Sequence, residues 1–483
     1  MDIGETITRI MNVVWSPALI FLCLGAGLWF SFRTRFVQVR RIGMMVRLLV
    51  SGKSSDTGVS SFQAFSMALS GRVGTGNIAG VATAIALGGP GAVFWMWIIA
   101  FLGSGTAYVE STLGQIYKEK VDGHFRGGPA YYIEKGLGMR RYAVLFAVVT
   151  VLALGILIPG VQSNAIVDSF GVAFGLNKTI TAAVTVTLLG MIIFGGIKRI
   201  ARFAQLVVPF MAAGYLIVTL IILIIYFRCV PELFALIFKS AAGMEPAMGA
   251  IVGSAVMMGV KRGVYSNEAG QGTGPHAAAA AEVSHPVKQG FVQAFSVYVD
   301  TLLVCTATAF MILITGMYNV YDATGTVVMQ GNEAMSGITD KGGPVFTQMA
   351  VESIFAGFGK VFIAVSLFFF AFTTLVSYYF QAETNMLYLL HGRNSRPWIR
   401  RLRIVMIAAT FLTAITSMDR AWDLGDIGIG LMAWINIIAV LLLQRPAIVA
   451  LRDYESQLRR NVKEPSFDPD KLGIKGAALW KKL

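Results

Sequence analysis

Eleven long apolar runs constrain this chain more than any other feature of its sequence. A helix rises 1.5 Å per residue, so about 20 apolar residues are needed to cross roughly 30 Å of hydrocarbon. Because 55% of the 483 residues are hydrophobic and only 14% are charged, a water-soluble fold is excluded. The sequence predicts an all-α polytopic membrane protein with eleven transmembrane helices, near residues 15–32, 60–88, 91–117, 142–164, 178–196, 203–227, 247–281, 287–317, 358–390, 402–418 and 425–443.

The distribution of lysine and arginine predicts the orientation of these helices. Thirty of the 40 basic residues fall in connections on one side of the predicted membrane and seven on the other. Since cytoplasmic connections carry the excess of basic residues, we expect the N-terminus outside and the C-terminus in the cytoplasm, in a plasma (inner) membrane. The net charge of +14 is explained by this orientation and not by a nucleic-acid partner. The first run lacks a basic leader and ends at Arg33, so it is predicted as a retained helix and not a signal peptide.

Two polar, glycine-rich interruptions repeat one pattern 190 positions apart. Residues 71–80 read GRVGTGNIAG, and residues 261–270 read KRGVYSNEAG. When Arg72 is laid over Arg262, Asn77 falls on Asn267, and the following Ala and Gly also coincide. Such matched interruptions mark the binding sites of transporters built from inverted repeats.

Each interruption leads a unit of five predicted helices, and an odd number of helices inverts the second unit relative to the first. The predicted organisation is an N-terminal helix with a basic loop (1–59), a first repeat (60–227), a second repeat (228–443) with an extracellular loop (318–357), and a cytoplasmic tail (444–483). The tail is polar, so a surface helix or a disordered end is expected.

The first interruption offers backbone groups for binding. Residues 74–79 fit a dinucleotide-binding glycine pattern, but no strand precedes them and residues 95–101, where an acid would be needed, are apolar. Glycines that open a helix free carbonyls for a small cation and N–H groups for an anion. Close helix packing through small residues is the alternative.

Polar side chains in two other runs are further candidates. In the fourth run, Gln162 and Asn164 follow a Pro-Gly pair, and they could equally belong to a loop. In the ninth run, Thr374, Ser377 and Tyr378 share one helix face, with Thr373 beside them. Hydroxyl oxygens suit a hard cation such as Na⁺, although back-bonding to the preceding turn is common for buried Thr and Ser.

Ionisable residues within apolar runs are functional candidates because burial of charge in a membrane is unfavourable. Glu110 and Glu383 are predicted to pair with Arg72 or Arg262, or to coordinate an ion. Asp300 is a candidate for binding an ion or a proton. Neither the four histidines nor the three cysteines form a metal or nucleophile constellation, so no enzyme activity and no organic cofactor are expected.

Several motifs together resemble the alanine or glycine:cation symporter family, the sodium:alanine symporters. Beside the two interruptions, they include Gly-Gly-Pro-Gly at residues 88–91, GGPAYYIEKG at 127–136, GGIKRI at 195–200 and Asp300-Thr301. The resemblance implies a leucine-transporter-like core of five plus five helices after one extra helix. It also implies Na⁺-coupled uptake of alanine or glycine by alternating access. The chain differs from the family where Ser377-Tyr378 replaces Gly-Trp and where Gln271 replaces Leu.

The resemblance and the residue patterns together predict three groups of site residues. The substrate carboxylate is expected at N–H groups near the first interruption, its ammonium at carbonyls and a Thr hydroxyl, and its side chain beside Tyr378. The predicted substrate residues are Gly74, Thr75, Gly76, Asn77, Gln162, Asn164, Thr374 and Tyr378, and the predicted Na⁺ residues are Gly71, Thr373, Thr374 and Ser377. The predicted gating or coupling residues are Arg72, Glu110, Arg262, Asn267, Glu268, Asp300 and Glu383.

Alternatives to this function remain open within the transporter class. Coupling to protons, or a different small amino acid such as glutamine, would use the same arrangement. An ion channel would not need an inverted repeat within one chain, and a membrane enzyme would need a catalytic set that the sequence lacks. Besides the amino acid, Na⁺ and membrane lipid, no nucleic-acid partner and no obligate protein partner are expected.

Overall fold

The structure is a computed structural model that describes residues 3–50, 55–244, 252–322, 324–338 and 343–481. Four helices form the N-terminal part. The extended residue Ser16 separates the first two helices. Pro17 then occupies the first turn of the second helix, where a backbone N–H would have no helical partner. Their bounds are α1 (Ile3–Val14), α2 (Pro17–Arg33), α3 (Val37–Arg40) and α4 (Ile42–Leu49).

The first glycine-rich interruption divides a buried helix into two. A capping box between Ser60 and Gln63 starts α5 (Ser61–Arg72), and the helix then stops before Val73, which is extended. After the break, a π-helical turn (Gly76–Gly80) leads into α6 (Val81–Gly88).

The remaining elements before residue 244 are mostly long apolar helices. A short antiparallel hairpin pairs Glu119 with Arg126 between the first two of them. Another π-helical turn (Ala153–Leu157) joins the two helices on either side of it. The bounds are α7 (Gly91–Ile116), β1 (Glu119–Val121), β2 (His124–Arg126), α8 (Pro129–Leu137), α9 (Arg140–Leu152), α10 (Pro159–Phe174), α11 (Lys178–Ile193), α12 (Gly196–Ile225) and α13 (Val230–Ala241).

The second interruption likewise divides a helix, into α14 (Val252–Asn267) and α15 (Gly274–Ala280). Residues 247–251 of the predicted seventh run lie outside the described residues. A longer π-helical turn (Tyr298–Cys305) interrupts the next helix. The bounds that follow are α16 (Pro286–Val297), α17 (Thr306–Thr315), β3 (Asn319–Tyr321), β4 (Val327–Gln330), α18 (Val345–Glu352), α19 (Gly359–Leu390), α20 (Arg396–Ala414) and α21 (Met418–Arg459).

Seven helical stretches within the described ranges are long and apolar enough to cross a membrane. The predicted runs at 60–88 and 247–281 are split by breaks, α11 is only 16 residues long, and α20 begins with arginines, so the count of eleven stays a prediction. The seven stretches are Gly4–Arg33, Gly91–Ile116, Arg140–Phe174, Gly196–Ile225, Val287–Thr315, Gly359–Leu390 and Met418–Arg459.

Two helices bracket both breaks. The first, α7, packs against α2, α14, α15 and α16, and the second, α19, packs against α5, α10 and α12. On the outside of the molecule, large apolar side chains such as Ile180, Phe210 and Ile224 are exposed. An apolar exterior around a polar interior is the arrangement expected of a membrane protein.

The C-terminal segment, predicted as a surface helix or a disordered end, packs against the helices. After Gln444 the chain stays helical to Arg459 and then continues without long helices. Phe467 and Trp480 are buried, and the Trp480 indole N–H donates to the Gln115 carbonyl over 3.0 Å. The tail therefore covers the end of α7.

Candidate functional site

The first break is held open by side chains that replace helical hydrogen bonds. The N–H of Gly74 donates to Asn77 Oδ1 over 2.8 Å, and the N–H of Thr75 donates to Gln162 Oε1 over 3.0 Å. In a continuous helix these N–H groups would bond to the carbonyls of Ser70 and Gly71. Those two carbonyls therefore lose their i+4 donors and become available to other groups.

Hydroxyl groups of α19 approach the end of α5. Thr374 Oγ1 lies 2.9 Å from the released Ser70 carbonyl and 3.0 Å from the Phe370 carbonyl of its own helix. One turn later, Ser377 Oγ donates to the Met67 carbonyl over 3.1 Å. The face of α19 predicted from sequence thus lies against the first break.

The glycines of the first break allow this close approach. A Cβ atom on Gly74 would lie 2.4 Å from Thr374 Oγ1, and one on Gly71 would lie 2.9 Å from Ser377 Oγ. Side-chain atoms at these positions would push α19 away from α5. The glycine pattern therefore serves helix contact as well as helix opening, and its role in binding stays a prediction.

Asp300 connects the two breaks. It lies in the π-helical turn Tyr298–Cys305, is fully buried, and accepts from Asn77 Nδ2 over 2.7 Å through Oδ1. Its Oδ2 accepts from Ser266 Oγ over 2.9 Å and from Thr301 Oγ1 over 2.7 Å. Since Asn77 belongs to the first break and Ser266 precedes the second, the carboxylate joins both halves of the predicted repeat.

The second break is held open by its own polar groups and by one glutamate. Asn267 Oδ1 accepts from the N–H of Ala269 over 3.0 Å, and Glu268 takes a positive φ of 55°, which few side-chain-bearing residues adopt. The N–H of Gly270 donates to Glu110 Oε1 over 3.2 Å, and Asn436 Nδ2 donates to Glu110 Oε2 over 2.7 Å. Glu110 therefore acts here as an acceptor for backbone at the second break.

The predicted pairing of Glu383 with Arg72 or Arg262 is wrong. Glu383 pairs with Arg126 of β2 at 2.7 Å and with Arg403 of α20 at 3.4 Å. Arg126 thus supplies a counter-ion from the hairpin, which faces the cytoplasm in the predicted orientation. No local pattern in the sequence links Arg126 to α19.

Arg262 also has a partner that the sequence interpretation missed. Its two terminal nitrogens lie 3.0 and 2.8 Å from the two carboxylate oxygens of Asp426, and Lys261 lies 2.6 Å from the same carboxylate. The sequence did carry a signal for this pairing, because a buried Lys-Arg pair needs a counter-ion. Asp426, near the start of the last apolar run, is an acid that could supply it. A cavity of about 270 Å³ lies beside these three residues and is also lined by Thr83 and Trp422.

Arg72 bonds to α16. Its Nη1 donates to the Gln293 carbonyl over 3.0 Å and to Ser296 Oγ. Glu268, Glu110 and Asp300 act on it electrostatically, although none forms an ion pair with it within 4.0 Å among the described residues. The arginine is therefore placed among the acids that support both breaks.

The structure separates one predicted substrate residue from the others. Asn164 Nδ2 donates to the carbonyls of Ala414 and Thr416 at the end of α20, over 3.2 and 2.7 Å, and not to the first break. The contact of Asn164 with substrate therefore stays a prediction, and Gln162 alone of this pair bonds to the first break. Tyr378, in contrast, is buried and contacts the Glu268 carboxylate near the second break.

The arrangement suits a small charged ligand held by neutral oxygen and nitrogen atoms. The described part of the chain contains no group of three or more His, Cys, Asp or Glu residues that could hold a metal ion. Carbonyl and hydroxyl oxygens near Gly71, Thr374 and Ser377 are the donors that a hard monovalent cation prefers. Thr373 is less well placed, because its hydroxyl donates to the Phe370 carbonyl and faces Met211.

Comparisons with known proteins identify the family of the chain. The sequence profile described as the sodium:alanine symporter family matches residues 1–469. The chain is 52% identical over 437 residues to the sodium/proton-dependent alanine carrier protein of Bacillus sp. (strain PS3), covering 90% of this chain and 97% of that protein. It is 43% identical over 483 residues to GlnT of Bacillus subtilis (strain 168), named a probable sodium/glutamine symporter, covering 99% and 96%.

A solved structure shares the fold. The chain superposes on a crystal structure of a mutant form of the Eremococcus coleocola manganese transporter with a TM-score of 0.52 at 14% identity, over 89% of this chain and 88% of that one. At this identity the likeness concerns the fold alone. The family profile and the two relatives, which span nearly the whole chain, show that it belongs to the sodium:alanine symporter family.

Proposed function

We propose that this protein imports alanine and glycine together with Na⁺ by alternating access. The observation that carries the proposal is the first break, where the N–H groups of Gly74 and Thr75 bond to side-chain oxygens and not to helical carbonyls. Neutral groups of this kind can exchange one partner for another of the same chemistry. A small zwitterion offers such partners, a carboxylate for N–H groups and an ammonium for carbonyls.

The substrate would replace existing contacts at the first break. Its carboxylate would accept from the N–H groups of Thr75 to Asn77, which lie at the positive end of the helical segment that follows. Its ammonium would donate to the Ser70 carbonyl, now within reach of Thr374 Oγ1. Its short side chain would lie toward Tyr378.

Na⁺ would bind between α5 and α19. The Gly71 carbonyl lacks its i+4 donor, and the hydroxyls of Thr374 and Ser377 lie on the facing side of α19. One Na⁺ moving through a potential of 100 mV contributes about 2.3 kcal/mol. A tenfold concentration gradient adds about 1.4 kcal/mol, so accumulation on the order of several hundredfold would be possible.

The membrane topology belongs to the same proposal. Eleven segments would cross the membrane with the N-terminus outside, and residues 60–227 and 228–443 would form the two inverted units. The two broken helices lie on either side of Asp300, which supports a shared site between the units. Rocking of one unit against the other would expose the first break to each side in turn.

Two observations support alternatives within the transporter class, one for the coupling ion and one for the amino acid. The relative from Bacillus sp. is named for sodium and protons, and the buried Asp300 carboxylate could carry a proton in place of coupling to Na⁺. GlnT is named for glutamine, and Ser377 and Tyr378 differ from the family pattern at the wall of the site. Both alternatives leave the site at the first break.

Uptake into proteoliposomes tests the proposal. Labelled alanine, glycine and glutamine are supplied with an inward Na⁺ gradient, an inward proton gradient, or neither. We expect accumulation of alanine and glycine only with the Na⁺ gradient. Accumulation of glutamine alone would overturn the substrate, accumulation with protons alone would overturn the ion, and no accumulation under any gradient would overturn the transport function.

A further inference from the structure

A basic pocket lies far from the two breaks, between the end of α2 and the last turns of α21. It has a volume of about 220 Å³, and its charged lining consists of five arginines and one glutamate. Arg33 and Arg35 come from the end of α2, Arg40 ends α3, and Arg452, Glu455 and Arg459 come from α21. Neither the transport site nor its supports use any of these residues.

The charges of this pocket do not balance. Glu455 pairs with Arg40 at 2.5 Å and with Arg41 at 3.2 Å, so its negative charge is already shared by two cations. Within the described ranges, Arg33, Arg35, Arg452 and Arg459 have no carboxylate within 4.0 Å. A concave site with this excess of guanidinium groups attracts a multivalent oxyanion, because the guanidinium fork matches phosphate oxygens in pairs.

The backbone at the end of α2 builds this pocket. Arg35 and Phe36 have positive φ values of 57° and 52°, which turn the chain sharply into α3. The turn returns Arg40 against the helix end, where its guanidinium donates to the Thr34 and Arg35 carbonyls, both over 3.3 Å. The arginine is therefore held by the fold and does not extend freely into solvent.

Exposed apolar side chains lie on the chain segments next to the pocket's N-terminal arginines. On α2, Leu28, Trp29 and Phe32 are 45%, 48% and 61% exposed, immediately before the arginines. On α3 and α4, the side chains of Val39, Ile42 and Val46 are also exposed, at spacings of three and four residues. A helix with such an apolar face lies in the plane of a membrane surface.

We propose that this pocket binds the phosphate headgroup of an anionic glycerophospholipid. The headgroup phosphate would bind the guanidinium groups, and the acyl chains would extend along Leu28 and Phe32 of α2. Basic pockets between transmembrane helices on the cytoplasmic side recognise anionic headgroups in this manner. A bound lipid would fasten α2 to α21, two helices already joined by the 2.9 Å hydrogen bond from the Trp29 indole to Gln444 Oε1.

Lipid retention by the purified full-length protein tests this site. The protein is stripped of lipid in detergent and titrated with phosphatidylglycerol or with zwitterionic phosphatidylcholine, and bound lipid is counted by native mass spectrometry. We expect the protein to retain phosphatidylglycerol and not phosphatidylcholine. Each charge-assisted contact is worth about 1.5 kcal/mol, so the Arg35→Gln/Arg452→Gln variant should weaken phosphatidylglycerol binding by about a hundredfold.

A matched control removes two arginines elsewhere on the same predicted face. Arg396 and Arg400 of α20 are exposed and, like Arg35 and Arg452, have no carboxylate partner among the described residues. The Arg396→Gln/Arg400→Gln variant should bind phosphatidylglycerol as the parent protein does. Equal losses in the two variants would overturn the site, because the effect would then follow net charge alone.

Two further arms complete the test. In the first, the melting temperature of the protein is measured with inorganic phosphate and with phosphatidylglycerol. An equal rise with inorganic phosphate would assign the pocket to a soluble anion and overturn the lipid assignment. If the double variant elutes as aggregate, the single Arg459→Gln variant replaces it, with an expected loss of about tenfold in affinity. Unchanged lipid retention in that variant would overturn the proposal.

Discussion

The two helix breaks carry the same sequence pattern but are held open in different ways. In the first break, the N–H of Thr75 bonds to a neutral amide and Thr374 reaches the released Ser70 carbonyl. In the second break, the N–H of Gly270 bonds to the Glu110 carboxylate. Side-chain amides accept from the freed N–H groups of the first break, whereas a carboxylate accepts from the Gly270 N–H of the second.

The paired asparagines show what the breaks have in common. Asn77 Oδ1 accepts from Gly74 and Asn267 Oδ1 accepts from Ala269, so each amide caps a free N–H in its own break. Both Nδ2 groups then reach the same π-helical turn, at Asp300 over 2.7 Å and at Thr301 over 3.3 Å. The repeated pattern therefore provides the capping in both breaks, whereas the surroundings decide which break can exchange partners with a ligand.

The largest effect is expected where the two breaks meet. Asp300→Asn removes the charge and replaces one acceptor oxygen by a donor, so the contact with Asn77 or with Ser266 is lost. Leaving buried polar groups unpaired costs about 1–3 kcal/mol each, and we expect Na⁺-driven alanine uptake to fall by about a hundredfold. Asp168→Asn serves as the control, since Asp168 pairs with Lys178 at the surface. If the Asp300→Asn variant takes up alanine at a rate within a few-fold of the parent protein, Asp300 does not support both breaks.

A slightly smaller effect is expected from filling the space of the first break. The added methyl group of Gly74→Ala would lie 2.4 Å from Thr374 Oγ1, whereas that of Gly80→Ala would lie 3.7 Å from its nearest neighbour, Trp422. Overpacking costs about 1–3 kcal/mol, so alanine uptake should fall by about tenfold to a hundredfold in Gly74→Ala and little in Gly80→Ala. Equal rates in the two variants would show that α19 does not close on the first break.

The hydroxyls of α19 provide a second test of the contact between α19 and the first break. Thr374→Val keeps the shape of the side chain but removes the oxygen that faces the Ser70 carbonyl. We expect the apparent KM for alanine and for Na⁺ to rise by about tenfold, as for the loss of one hydrogen bond to a charged group. Thr373→Val is the matched control, because the Thr373 hydroxyl donates within its own helix. A larger change in Thr373→Val than in Thr374→Val would contradict the assignment.

The smallest effect on binding is expected at the second break. Arg262→Gln removes the bidentate pair with Asp426 but, among the described residues, no hydrogen bond to the first break. Equilibrium binding of alanine to the detergent-solubilised protein should change by less than about threefold, while the uptake rate falls, because the ion pair joins α14 to α21. Loss of alanine binding comparable to that in Gly74→Ala would mean that the second break also holds substrate.

Local sequence patterns predict the helix breaks and the polar face of α19, because both depend on residues that are close together in the chain. The glycines from Gly71 to Gly76 and the single face of Thr374 and Ser377 on α19 were both visible in the sequence. The broken helices and the polar face are found in the structure as predicted.

Contacts between distant segments could not be read from such patterns. Gln162 and Asn164 are two positions apart in one helix, so they cannot face the same neighbour, and only Gln162 reaches the first break. Arg126, the nearer partner of Glu383, and Asp426, the partner of Arg262, lie more than a hundred residues away, in β2 and α21. Their pairing depends on how the helices are arranged in space.

Equilibrium binding of labelled alanine in saturating Na⁺ tests most directly whether the first break holds the substrate. Gln162→Leu removes an amide that is predicted to contact the substrate and that accepts from the Thr75 N–H, and Gln271→Leu removes an amide that donates to the Val264 carbonyl over 2.6 Å at the second break. We predict that Gln162→Leu lowers alanine affinity by at least about tenfold and that Gln271→Leu leaves it within about threefold. Weakened binding in Gln271→Leu with intact binding in Gln162→Leu would contradict the account.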